Sequence, residues 1–130
     1  MAEALWKFRG FVTDALTEVV QNWYWDELTK DERDLIRDRI AHLEHLKGHL
    51  WKEPYYEDFG DIGEIKKKST PRGALRIYGV KKSDVFVLLN GVLKKVTRDS
   101  RGTDLARKRL KLLNNGRGNT HGFNFQERSS

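Results

Sequence analysis

Residues 63–80 read "GEIKKKSTPRGALRIYGV", and the way this stretch alternates decides the fold. Two short runs flank "STPRG", a link that carries Pro71 and Gly73 and is short enough to close a β-hairpin. Side chains alternate across a strand. In the first run Glu64, Lys66 and Lys68 therefore share one face, while Ile65 and Lys67 share the other. In the second, Leu75 and Ile77 share a face, and Ala74, Arg76 and Tyr78 take its opposite. Ile65, Leu75 and Ile77 are expected on the core, which turns Lys66, Lys68, Arg76 and Tyr78 toward an open surface. Lys67 starts on the core face and escapes at the strand's edge. Lysine is depleted in strands, and like charges at neighbouring positions repel. Cations gathered this way call for an anion.

The hairpin sets the reading of its neighbours. Strands are predicted over about 62–68 and 74–80, and "KKSD" leads to a third over 85–95. "VFVLL" at 85–89 is continuously apolar, as a strand buried on both faces would be. Lys94 and Lys95 extend past it, and one of them must join the Lys66 face. Upstream, "TKDE" at 29–32 matches a capping box and opens a helix to about Lys47, with Gly48 as its stop. Its apolar stripe is Leu35, Ile36, Ile40, Leu43 and Leu46. Another helix is predicted from Thr13, as N-cap, to Leu28, so the two form an αα-hairpin. Residues 5–11 alternate as a first strand. Residues 48–61 read as a connector whose Trp51, Tyr55, Tyr56 and Phe59 seal an edge of the core. A last helix runs from Thr103 to Asn115, striped by Leu105, Ala106, Leu110 and Leu113. The expected fold is α+β in the order β-α-α-β-β-β-α. Its small antiparallel sheet, a meander, is packed on one face by the helical hairpin. One domain covers 1–115, and 116–130 is expected to be a polar tail, mobile at least in part.

Composition narrows the chemistry. A chain of 130 residues suits one core. It holds no cysteine, which excludes disulfides and a thiol nucleophile and fits a cytoplasmic protein. No apolar run approaches 18 residues and no signal-peptide pattern opens the chain, so no membrane span is expected. The net charge of +6 conceals a split: residues 1–61 carry 8 Lys/Arg against 14 Asp/Glu, and residues 62–117 carry 16 against 4. A basic half of this strength, concentrated in predicted strands, points to a polyanion. Lysine and arginine grip phosphate oxygens, and Tyr78 offers a ring for a base. The plain alternative is a solvated sheet face with lysines as edge protection. His42, His45 and His49 have helical spacing, but without HExxH or cysteine they read as a solvated helix face rather than zinc ligands. Neither GxxxxGK[ST] nor GxGxxG occurs, and no Ser/His/Asp set can be assembled.

In chain order, "WKFRGFV", "NWYWDELTKDERDLIRDRIAHL", "IGEIKKK", "ALRIYGV", "VFVLLNGVLKK" and "DLARKRL" together resemble the RelE superfamily of bacterial toxins, within it the HigB-like, phage-associated branch. The resemblance covers about residues 5–115. "IGEIKKK" stands where the family has a strand ending in an "E-L-R" type pattern, with Lys66 in the arginine position. The resemblance implies the toxin of a type II toxin–antitoxin system, an endoribonuclease that cleaves messenger RNA in the ribosomal A site and so inhibits translation. It implies no cofactor, no metal, and an antitoxin partner, often of helix-turn-helix type. Family catalytic positions fall on Lys66, Lys68, Arg76 and Lys95, with Lys94 adjacent, and Lys94, Lys67, Arg98 and Tyr78 are expected as RNA contacts. In the implied reaction a 2′-hydroxyl attacks the adjacent phosphate. Lys66 or Lys68, its pKa depressed by neighbouring cations, takes the proton, Arg76 clamps the phosphate, and Lys95 serves the leaving oxygen. Two other readings stay open. One is a non-catalytic nucleic-acid- or ribosome-binding protein of phage or mobile-element origin. The other is an interaction protein that uses its acidic helical hairpin.

Overall fold

The computed structural model describes residues 3–95 and 98–126, except for the side chain of Lys68. It is α+β. Strand β1 (Lys7–Val12) leads to helices α1 (Val19–Asp26) and α2 (Lys30–Leu43). A 3₁₀ turn (Gly48–Leu50) and a short strand β2 (Tyr56–Asp58) precede the hairpin strands β3 (Gly63–Thr70) and β4 (Gly73–Lys82). Then come β5 (Val85–Lys94), α3 (Ser100–Asn114) and β6 (Asn119–Gly122).

The β3–β4 hairpin sorts its side chains onto the faces that its alternation predicts, and its register sets Lys66 opposite Arg76 and Ile65 opposite Ile77. Gly73 closes the turn at φ +128°, a conformation that a side chain would strain. Ile65, Leu75 and Ile77 are fully buried under the helical hairpin, with Val20, Tyr24, Leu28, Ile36, Ile40 and Leu43. The capping box at Thr29 is complete: its hydroxyl accepts from the Glu32 amide, and Glu32 accepts from the Thr29 amide. Helix α2 ends at Leu43, a turn before the expected Lys47, and Gly48 opens the 3₁₀ turn. Helix α1 starts later than its pattern suggests. Leu16 sits at φ 66°, which breaks a helix, and the Thr13 hydroxyl accepts from the Thr17 amide in a turn of its own.

The expected antiparallel meander is corrected. The sheet is mixed, in the order β2-β3-β4-β5-β1-β6, and β1 runs parallel to β5. Strand β1 flanks β5 on the side away from β4, so β5 is interior. Its apolar run then divides: Phe86 and Leu88 face the helical hairpin, while Val87 and Leu89 join Phe11, Ile62, Tyr78 and Ala106 beneath α3. Helices thus cover both faces, and α3 lies over β4 and β5.

The tail reading is corrected as well. Residues 119–122 form β6 against β1, and Arg9 ties itself to the Thr120 hydroxyl (2.7 Å) and carbonyl (2.8 Å). Gln21 and the Asn124 backbone exchange two hydrogen bonds, and the Tyr24 hydroxyl donates to the Phe125 carbonyl. Phe123 and Phe125 pack on the main core. The composition of 116–130 is polar, but two aromatics spaced by two, Phe123 and Phe125, anchor its described part. Residues 127–130 of the expected tail lie outside the described residues.

Candidate functional site

Helix α3 leaves the β2–β3–β4 end of its sheet face open. The result is a cleft of about 900 Å³ floored by β3 and β4 and walled by β2, the end of β5 and the start of α3. Lys66, Arg76, Tyr78, Lys94, Lys95 and Arg98, all singled out from sequence, line it together. Lys67 does not. It pairs across to Leu75, on the face turned to the helical hairpin. Lys68 belongs to β3, and its side chain lies outside the described residues.

Sequence reasoning missed the carboxylates among these cations. Lys66 is nearly buried, its side chain 8% exposed, and its ammonium donates to Glu53 (2.6 Å) and Glu57 (2.8 Å). Burial opposes the charge of Lys66, but the two carboxylates outweigh it and hold the pKa above the ordinary lysine range. The expected base role of Lys66 is therefore corrected: this amine stays protonated. Arg76 pairs with Glu64 at 3.4 Å, both well buried. Burial pushes the Glu64 carboxyl up despite the pull of Arg76 and Lys66. The signal was present in the alternation, which puts Glu64 on the Lys66 face. Nothing local marked Glu53 or Glu57 as partners of a residue 9 or 13 positions away.

Tyr78 is also corrected. Its ring is 1% exposed and packs with Phe11, Val87, Leu89 and Ala106, so it cannot stack on a base. Its hydroxyl donates to Asp99 (3.1 Å), and burial beside Glu64 and Asp99 raises its pKa. Asp99 is the hinge of this wall. It caps α3 by accepting from the Gly102 amide (3.0 Å) and lies 3.5 Å from the Lys94 ammonium. A Cβ on Gly102 would collide with the Asp99 carboxylate and the Tyr78 ring, so glycine is what allows this approach. Arg107, from α3, bonds Asp61 at 2.9 Å and holds that carboxyl below its usual range. Among the described residues, Lys95 and Arg98 line the cleft exposed and without a carboxylate partner. Phe59 contributes a half-buried ring to the same cleft.

The arrangement therefore combines a buried acid of raised pKa, a buried guanidinium beside it, and exposed cations at the rim. It has the parts for proton transfer next to a bound phosphate. Of the three histidines at helical spacing, all exposed, His42 packs tilted against Tyr55 with ring centroids 4.0 Å apart. Among the described residues, no group of three or more His, Cys, Asp or Glu could hold a metal ion. No helix of those residues is long and apolar enough to cross a membrane. Comparison with models of protein families, with curated proteins and with solved structures finds no match to this chain.

Proposed function

We propose that the cleft is the active site of a metal-independent endoribonuclease acting on messenger RNA, and that the chain is the toxin of a toxin–antitoxin pair. The observation that carries this reading is Glu64, a buried carboxyl of raised pKa facing Arg76 on the floor of a cleft with a cationic rim. Glu64 takes the proton of a ribose 2′-hydroxyl, and the freed oxygen attacks the adjacent phosphorus. Arg76 balances the charge that builds on the phosphoryl oxygens. The bond from phosphorus to the 5′-oxygen breaks, and an ammonium at the rim, Lys95, gives that oxygen a proton. The products are a 2′,3′-cyclic phosphate and a 5′-hydroxyl. Lys66, locked by its two carboxylates, positions β2 against β3 instead of moving protons.

The resemblance to RelE-type toxins supplies the rest of the reading. The substrate is mRNA in the ribosomal A site, and an antitoxin, of helix-turn-helix type, silences the toxin. The test is induced expression in bacteria with primer extension on cellular mRNA. Wild type arrests growth and leaves cuts within translated codons, while Arg76→Ala and Glu64→Gln do neither. Purified protein and ribosomes should yield cyclic-phosphate ends in EDTA, with a rate that rises with pH as Glu64 ionises. Glu64→Gln keeps the shape of the buried site, so loss of cutting in a folded Gln variant isolates the proton transfer. If Glu64→Gln cuts at the wild-type rate, the assignment of the base is wrong. If wild type leaves no cuts, the ribonuclease reading falls, and a binding protein on the same cleft takes its place.

A further inference from the structure

The cleft is polarised along its length. At the β2 end the carboxylates of Glu53 and Glu57 both meet the Lys66 ammonium, and both side chains stay about half exposed. In the middle Glu64 and Arg76 balance. At the α3 end Lys94 pairs with Asp99, and Lys95 and Arg98 stand open among the described residues. A phosphodiester chain is drawn to the cations of the α3 end, whereas the β2 end presents carboxylate oxygens. What a carboxylate attracts is an N–H donor.

Glu57 is built to offer itself that way. Its side chain is 44% exposed while Lys66 pins one of its oxygens at 2.8 Å. A carboxylate has about four acceptor positions, so the pinned group still accepts elsewhere. Phe59, two residues on, lines the same cleft with a ring that is packed from behind. An aromatic face next to a fixed acceptor is the usual form of a single-stranded base pocket. Among the RNA bases, guanine alone sets two donors side by side, N1–H and the 2-amino group, matching the two carboxylate oxygens. Adenine and cytosine place an acceptor nitrogen beside the amino group. Uracil has a single N–H between two carbonyls. We propose that Glu57 and Phe59 form a guanine-selecting subsite at the β2 end of the cleft. The inference rests on the reading of the cleft as an RNA site and adds which base it takes.

The test uses the whole chain and RNA that cannot be cut. Labelled 2′-O-methyl pentamers carry guanosine, inosine or uridine at the centre of four uridines, and affinity is read by fluorescence anisotropy at fixed salt. Inosine keeps N1–H and lacks only the 2-amino group. Guanosine should bind roughly tenfold tighter than inosine, and uridine should be weakest. Glu57→Gln, a change at a half-exposed position, should bring the guanosine-to-inosine ratio close to one while uridine binding holds or improves. Phe59→Leu should weaken all three pentamers. Equal affinity of wild type for guanosine and inosine overturns the subsite. Cleavage is scored separately on natural RNA. Cutting without base preference removes the subsite and leaves the ribonuclease. Guanine-selective binding without cutting leaves the subsite and removes the ribonuclease.

Discussion

Two buried glutamates carry opposite shifts, and the difference separates a carboxylate held by an ion pair from the one proposed to take a proton. The Arg72 guanidinium, bonded to both oxygens of Glu32 at 2.8 and 2.6 Å, and the Thr29 amide draw its pKa from 4.5 to about 2. Arg72 also donates to the Glu27 carbonyl, so this contact ties the β3–β4 turn to the corner between α1 and α2. A lowered carboxyl stabilises the fold above its unfolded pKa and loses that contribution as the pH falls through its folded value. Stability should therefore drop between pH 4.5 and about 2. Glu32→Gln should remove roughly 1 to 2 kcal/mol at pH 7, a discounted figure because water screens the half-exposed Arg72. Denaturant melts across that pH range check both. An unchanged acid profile in Glu32→Gln would assign the acid loss to other carboxylates. Glu64 has the reverse sign. Its raised carboxyl favours the fold at low pH, and that contribution is lost as the pH rises toward the folded pKa. At neutral pH Glu64→Gln should therefore melt no lower than wild type, even though it abolishes cutting. A Gln variant that melts well below wild type would mean that the ion pair with Arg76 outweighs the burial of Glu64. The capping-box pattern identified Glu32 from sequence. It held no sign of Arg72, 40 residues away.

At the scale of elements, periodicity exposed some pairings and concealed others. The faces of β3 and β4 were legible because a 2-residue period leaves one face apolar, and a slip by one residue would have turned Lys66 and Arg76 into the apolar core under the helical hairpin. The double-faced burial of β5 was legible from its unbroken apolar run, Val85 to Leu89. That burial also signals an interior strand, yet the neighbour that makes it interior, β1, lies more than 70 residues earlier in the chain. Local pattern holds no record of such a partner. The last strand was hidden more thoroughly, because Asn119 and Gly122 are poor strand formers and β6 owes its place to contacts rather than propensity. Those contacts make a prediction. Phe123 and Phe125 touch each other with ring centroids 4.6 Å apart and pack edge-on against Tyr24. Phe123→Ala and Phe125→Ala should each cost roughly 1 to 3 kcal/mol, less than a fully buried ring. The double variant should cost less than the sum, since each removes part of the other's packing. Urea unfolding of the three variants measures this. A loss too small to resolve would show that residues 119–126 are an appendage to the fold.

The whole molecule presents the charge split in a form that the sequence alone overstates. The basic half faces the cleft, but the acidic half reaches into it through Glu53 and Glu57, and the basic half brings Glu64 and Asp99 of its own. Among the described residues, six Lys and Arg line the cleft: Lys66, Arg76, Lys94, Lys95, Arg98 and Arg107. Four of these lie within ion-pair distance of carboxylates. The difference is measurable through salt. On single-stranded RNA, each phosphate newly neutralised by protein contributes about −0.7 to the slope of log affinity against log salt. A lysine that leaves a carboxylate for a phosphate frees a carboxylate, which then recruits a cation and cancels the release. With six working cations the slope would be about −4, but with Lys95 and Arg98 alone it should be about −1.5. Replacing Lys95 or Arg98 by Ala should each flatten the slope by about 0.7, and Lys94→Ala should change it little. A wild-type slope near −4 would mean that RNA displaces the internal carboxylates wholesale, and the cleft would then bind as a basic surface rather than a polarised one.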